Sequence, residues 1–193
     1  MYYRLKMVDK VRVPPNRLGE DLETVILDVL QEQLEGSIDK EIGIFIAVTR
    51  VTRIGEGEMI PGDGAVFYDV DFEGLAIRLT LQEIIEGIVV ETTGFGAFIS
   101  LGPIDAMLHV SQISDEYISY DEKNSQLICQ DSGRHIGVGD VVRARVVTLS
   151  LSEREPRESK IGLTMRQAGL GSLIWLDEDM KTEQKEKDNQ GAA

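Results

Sequence analysis

Phe95 and Phe98 stand three residues apart around a glycine, in the run Gly94-Phe95-Gly96-Ala97-Phe98-Ile99-Ser100-Leu101. In a strand kinked at Gly96 both rings reach one face, and the glycine removes the side chain that would shade them. Exposed rings on a sheet are platforms for nucleobases, each stack contributing ~1–3 kcal/mol. His109, in Leu108-His109-Val110-Ser111, falls on the next strand and adds a third ring or a hydrogen-bonding group. Arg143, Arg145 and Lys160 lie on later strands and can meet phosphates. The competing reading is that Phe95 or Phe98 fills a barrel interior.

A second candidate is the stretch Gly55 to Gly64, which holds four glycines and Pro61 and reads as a loop. Gly57, Met59, Ile60, Pro61, Gly62, Asp63 and Gly64 form its tip. Met59-Ile60-Pro61 is an apolar knob that fits a groove on a partner, or a solvent-exposed hairpin end. Asp69, Asp71 and Glu73 alternate on one strand face; Mg²⁺ binding is one reading and a solvated face the other. No lysine-Ser/Thr pair follows the glycines as in a phosphate-cradling loop. Cys129 is the sole cysteine and His109 and His135 the only histidines, so no cofactor, metal site or catalytic centre is expected. Cys129 reads as a half-buried thiol in a strand.

These residues need elements to hold them. Tyr2–Val13 reads as a strand ended by Pro14-Pro15. Leu18, Leu22, Val25, Ile26, Val29, Leu30 and Leu34 follow helical spacing, with Asn16 as expected N-cap and Gly36 as the stop. A strand over Ile42–Ile54 and another from Ala65 follow, the latter with a β-bulge or bend at Gly74 where the alternation changes parity. This is an α+β domain over residues 1–81: one main helix on a small antiparallel, RNP-like sheet. Beyond a junction at Thr80–Gly87 the pattern is all-β. Short strands at Ile88–Thr92, Phe95–Leu101, Ile104–Val110, Val141–Leu149 and Lys160–Met165 predict a five-stranded OB-type barrel over residues 82–176, with an extra hairpin at Tyr117–Cys129. Leu170, Leu173, Ile174, Trp175 and Leu176 form an apolar cluster, and residues 177–193 read as a disordered polar tail.

The net charge is −14. Residues 1–83 carry 16 acids and 9 bases, residues 84–176 carry 12 and 8, and the rest 6 and 3. No part is basic, which excludes independent, phosphate-driven binding to duplex DNA. No run approaches the ~20 apolar residues of a membrane helix, and the first residues lack a signal peptide's apolar core. The expectation is a cytoplasmic protein.

The stretch Gly87, Val89, Phe95, Gly96, Ala97, Phe98, His109 and Ser111, with Val138-Gly139-Asp140 and Leu163-Thr164-Met165, resembles the S-one-type RNA-binding domain, an OB-fold module. The resemblance spans about residues 82–166. It implies that Phe95, Phe98 and His109 line an RNA face. Residues 1–81, through Gly57-Glu58-Met59-Ile60-Pro61-Gly62-Asp63-Gly64-Ala65-Val66-Phe67-Tyr68-Asp69-Val70, resemble the first domain of the archaeal RNA polymerase stalk family called E-prime, similar to the seventh-largest subunit of eukaryotic RNA polymerase II. That resemblance implies a non-catalytic subunit of DNA-directed RNA polymerase. It would form a heterodimer with a small helical polymerase subunit (called F in that family), and dock on the polymerase core through the glycine-rich tip. The barrel would meet nascent single-stranded RNA, aiding open-complex formation and elongation. The alternative is a free-standing OB-fold RNA-binding or translation factor.

Overall fold

The triplets Val48-Thr49-Arg50 and Val51-Thr52-Arg53, followed by Ile54, decide how the first sheet is built. In the computed structural model, which describes residues 1–153 and 159–190, they lie in a 17-residue strand, β3 (Gly43–Met59), after the short β2 (Ile38–Asp39). β3 pairs with β4 (Val66–Ile77), and the register slips repeatedly. Phe45, Val48, Val51 and Ile54 oppose Ala76, Gly74, Phe72 and Val70, so β3 advances three residues for every two of β4. Each slip is a β-bulge. The hydroxyls of the extra residues compensate for the broken ladder: Thr49 donates to the Glu73 carbonyl and Thr52 to the Asp71 carbonyl, each at 2.9 Å. Each valine thereby keeps to the core side and each arginine to the other.

The strand β1 (Tyr2–Val13) pairs with the far side of β4 without any slip, giving a sheet of order β1-β4-β3-β2. The helix α1 (Leu22–Leu34) lies against its inner face. Val25, Ile26 and Leu30 pack with Val11, Val13, Phe45, Val48, Val70 and Phe72 in a continuous core. Two sequence expectations change here. Asn16 does not cap the helix: Pro15–Arg17 is a 3₁₀ turn, and Asp21 is the cap, accepting from the Thr24 amide at 3.1 Å and its hydroxyl at 2.7 Å. The two prolines hold the chain out of the helix for longer than the apolar spacing indicates. Nor is there a bulge at Gly74: β4 runs regularly against β1, and the irregularities belong to β3. Gly74 is required because a Cβ there would lie 2.4 Å from the Phe45 ring.

The outer face of this sheet carries the charges. Glu73 is 3 % exposed, held by two Arg50 hydrogen bonds at 3.0 and 3.1 Å, with Arg4 and Lys6 each 3.8 Å away. The Arg50 bonds, then the surrounding positive charge, hold its carboxyl below the ordinary glutamate range. A carboxyl depressed in the folded state adds stability that is complete above the unfolded value, near ~4.3, and is lost as pH falls through the lower folded value. Acid titration of thermal stability is therefore expected to show a limb below that point, to which Asp21, Asp39, Asp63 and other depressed carboxylates also contribute, and Glu73→Gln to make it shallower. An unchanged limb in the variant would assign it to other carboxylates.

The second unit begins at Thr80, two residues before the expected boundary, and residues 151–153 group with the first unit. Strands β5 (Ile84–Thr93), β6 (Gly96–Ser100), β7 (Asp105–His109), β11 (Val141–Ser150) and β12 (Lys160–Thr164) close into a five-stranded barrel in the order β12-β7-β6-β5-β11, with β11 returning to β12. Val89, Ala97, Ile99, Leu108, Val142, Val146 and Leu163 are buried between them. The predicted hairpin is present as β8 (Ile118–Asp121) and β9 (Gln126–Cys129), joined by β10 (His135–Gly137) in a separate three-stranded sheet. Cys129 is 2 % exposed, more buried than expected, and burial pushes its thiol upward. The short β13 (Gly171–Ser172) edges β11.

The tail also departs from expectation. Residues 177–190 continue an α-helix, α2 (Leu173–Gln190), and do not form a structureless tail; residues 191–193 lie outside the described residues. The segment has no glycine or proline before Gly191 and is rich in Glu, Lys and Gln, all good helix formers. Trp175 anchors its first turn, 9 % exposed, with the Arg134 guanidinium 5.8 Å from its ring centre. No helix of the described residues is long and apolar enough to cross a membrane.

Candidate nucleic-acid interface

The β5–β6 turn positions the aromatic pair. Phe95 sits in the turn itself, 51 % exposed, and Phe98 follows on β6, half-buried on its outer side between the buried Ala97 and Ile99. Their ring centres are 6.3 Å apart and the rings meet edge to face at 88°. That is a favourable aromatic geometry, and about half of Phe95 stays exposed beside it. Neither ring fills the barrel, so the interior reading is set aside.

Gly96 makes the arrangement possible. It pairs with His109 across the β6–β7 ladder, and a Cβ at this position would come within 2.2 Å of the Leu108 carbonyl oxygen. Its φ of +155° lies in the range that side chains disfavour. The Val110 amide donates to the Phe95 carbonyl at 2.9 Å, fixing the turn against the end of β7. His109 therefore stands beside the aromatic turn, exposed, its Nδ1 2.9 Å from the Ser111 hydroxyl and accepting from the Ser111 amide at 3.2 Å. That leaves Nε2 pointing away from these partners, which explains why a His-x-Ser spacing suits an outward-facing ring.

The cations divide. Lys160 is exposed at the start of β12, on the same outer side as Phe98: Gly162 of β12 pairs with Met107, and Met107 with Phe98. Arg143 and Arg145 are not brought to the rings. Arg143 pairs in register with Glu86 while Phe98 pairs with Glu91, so they sit at different levels of β5. Both arginines are also engaged: Arg143 by Glu86 at 2.8 Å, Arg145 by the Gln82 carbonyl at 3.2 Å. The sequence spacing places residues on strands but not at levels along the barrel axis, which is where this grouping failed.

Three neighbours were missed. Met107 lies between Phe98 and β12, half-buried on the same side. Tyr120 of β8 donates its hydroxyl to the Thr92 carbonyl at 3.0 Å, and its ring comes 3.9 Å from the Cβ position of Gly94, beside the aromatic turn. Arg166, just past β12, pairs with Asp115. Because β12 runs parallel to β7, Arg166 lies beyond the same end of the barrel as His109. The signal for Arg166 was present: it follows directly on Leu163-Thr164-Met165.

The second candidate is shorter than expected. Gly55–Met59 belong to β3, and the loop proper runs from Ile60 to Ala65. Gly57 is a strand glycine, where a Cβ would meet the Val66 and Tyr68 side chains at 2.8–3.0 Å. Glycine here serves close strand packing, which in sequence looks the same as loop flexibility. Met59 is 77 % and Ile60 50 % exposed at the tip. Asp63 pins the turn, accepting from Arg12 at 2.8 and 3.0 Å and from the Ala65 amide at 3.1 Å. The row weighed for Mg²⁺ is occupied by cations: Asp69 faces Lys10 at 3.7 Å, Asp71 faces Arg53 at 3.8 Å and Glu73 binds Arg50.

Known proteins align with both units. Residues 8–64 match the SHS2 domain found in the N terminus of Rpb7p/Rpc25p/MJ0397, and residues 78–160 match the S1 RNA binding domain. The chain is 36% identical to DNA-directed RNA polymerase subunit Rpo7 of Saccharolobus shibatae, over 94% of this chain and 100% of the relative. It is 33% identical to Rpo7 of Sulfolobus acidocaldarius, over 88% and 92%. It is 27% identical to DNA-directed RNA polymerase III subunit RPC8 of Bos taurus, over 81% and 79%.

Proposed function

Since the chain belongs to the Rpo7 family of DNA-directed RNA polymerase subunits and carries an S1 RNA-binding domain, we propose that it is the non-catalytic, cytoplasmic stalk component that receives nascent RNA. In this reading it pairs with the small helical polymerase subunit and docks on the polymerase core through the tip at Met59–Gly64. The barrel then meets emerging single strands and supports open-complex formation and elongation. The observation that carries the RNA half is the edge-to-face pair of the exposed Phe95 and the half-buried Phe98, beside His109. The acidic balance of the chain accords with it: a barrel tethered beside the RNA exit sees RNA at high effective concentration, so modest intrinsic affinity suffices.

The docking half rests on Met59 and Ile60, two large apolar side chains held in water by a turn that Arg12 and Asp63 fix. Burying such side chains stabilises an interface by about 1.5–3 kcal/mol each. Met59→Ser with Ile60→Ser is expected to lower retention on core polymerase at least tenfold, while the pair with the small helical partner still forms. Co-expression with both, followed by copurification, reads the two interactions together. Full retention of the variant would move the docking surface elsewhere, and a chain that binds RNA yet ignores both partners would favour a free-standing factor.

A further inference from the structure

β1 is the edge of its sheet, and among the described residues no strand pairs with its outer side. Its hydrogen-bonding phase can be read. The Met1 amine donates to the Arg78 carbonyl and the Arg78 amide donates back to Met1 at 3.1 Å, so Met1 and Arg78 exchange both bonds. Antiparallel ladders alternate, and the register with β4 is regular, so Tyr3, Leu5, Met7 and Asp9 bond to β4. The amides and carbonyls of Arg4, Lys6, Val8, Lys10 and Arg12 point to the open edge. Lys10 accords with this phase: its amide donates to the Asp9 carboxylate at 2.7 Å.

The side chains along this edge sort by face. Arg4, Lys6 and Val8 are exposed on the outer face, Val8 at 70 %. Leu5 and Met7, on the inner face, are only partly buried against the core. Arg4 and Lys6 are each 3.8 Å from Glu73, whose close hydrogen bonds go to Arg50. The edge thus combines open main-chain groups, an incompletely covered apolar row and two cations beyond hydrogen-bonding reach of the one carboxylate they share. Long, unbulged edges of this kind are templates for an added strand.

We infer that the edge of β1 over Arg4–Val8 docks an extended segment of another polymerase polypeptide, added as a fifth strand. In that segment acidic side chains face Arg4 and Lys6 and alternate with apolar ones beside Leu5 and Met7. The partner is taken from the polymerase reading above; the mode of docking comes from the edge itself.

Hydrogen exchange on the full chain, alone and in polymerase reconstituted with the core and the small helical partner, before and after nuclease treatment, tests this. The amides of Arg4, Lys6 and Val8 are expected to exchange freely in the isolated chain and to slow at least tenfold in the assembly. Val8→Pro removes an edge amide that β4 does not use, so the chain is expected to keep its melting behaviour but lose retention at least tenfold; Val8→Thr is expected to bind as the wild type does. Retention with the three amides still fast would overturn the edge assignment and leave polymerase membership standing. Protection that disappears on nuclease treatment would make RNA the occupant and overturn it too. Loss of wild-type retention altogether would remove the polymerase reading and this inference with it.

Discussion

Replacing Phe95 and Phe98 together by alanine is expected to weaken single-stranded RNA binding roughly 30- to 1,000-fold, the loss of two stacking platforms at about 2–4 kcal/mol in all. The larger share belongs to Phe95, whose ring is the more exposed, and the smaller to Phe98, which also packs against it. Neither ring enters the barrel interior, where Ala97 and Ile99 lie, so the variant should remain folded. Fluorescence anisotropy with a labelled oligouridylate, on the chain and on its heterodimer with the small helical partner, reads the affinity; circular dichroism reads the fold. Unchanged affinity in a folded variant would move RNA off this face. His109→Ala, beside the pair, is expected to have the smaller effect of one lost contact.

Gly96→Val is expected to be the most damaging single change near that face. The new Cβ would meet the Leu108 carbonyl oxygen at 2.2 Å and the His109 Cα at 3.0 Å, both backbone, so no side chain can swing aside. The strand must then part from β7, at the point where the Phe95 turn is tied down by the Val110 amide. A destabilisation of about 3 kcal/mol or more is expected, in line with core-scale backbone conflicts, together with loss of RNA binding. Denaturant unfolding of the chain measures the first. Wild-type stability in this variant would show that β6 and β7 can separate locally without cost to the barrel.

Much of this organisation was legible in the residues. The change from helical to alternating spacing separates one α+β unit from an all-β one, and Phe-Gly-x-Phe marks the turn that carries the rings. What could not be read depends on relationships across strands. The levels of Arg143 and Arg145 along the barrel follow from their partners Glu86 and Ile84 on β5, well away from the Glu91 that opposes Phe98, which nothing in their own neighbourhood encodes. The glycines at Gly55 and Gly57 resemble a loop because tight strand packing and chain reversal both demand a missing Cβ. The tail was misjudged for a different reason: polarity argued for disorder, while its strong helix formers and the Trp175 anchor argued for a helix.

The three-for-two pairing of β3 has a consequence for how such a sheet can change length. Insert or delete one residue in Val48–Ile54, and every arginine and valine beyond it trades sides. Remove a whole Val-Thr-Arg set, and the next set arrives in the same orientation, with a threonine again opposite a β4 carbonyl. The strand is graduated in units of three, and lineages can lengthen or shorten this arm by that step while its oily side still meets the helix and its charged side still meets water.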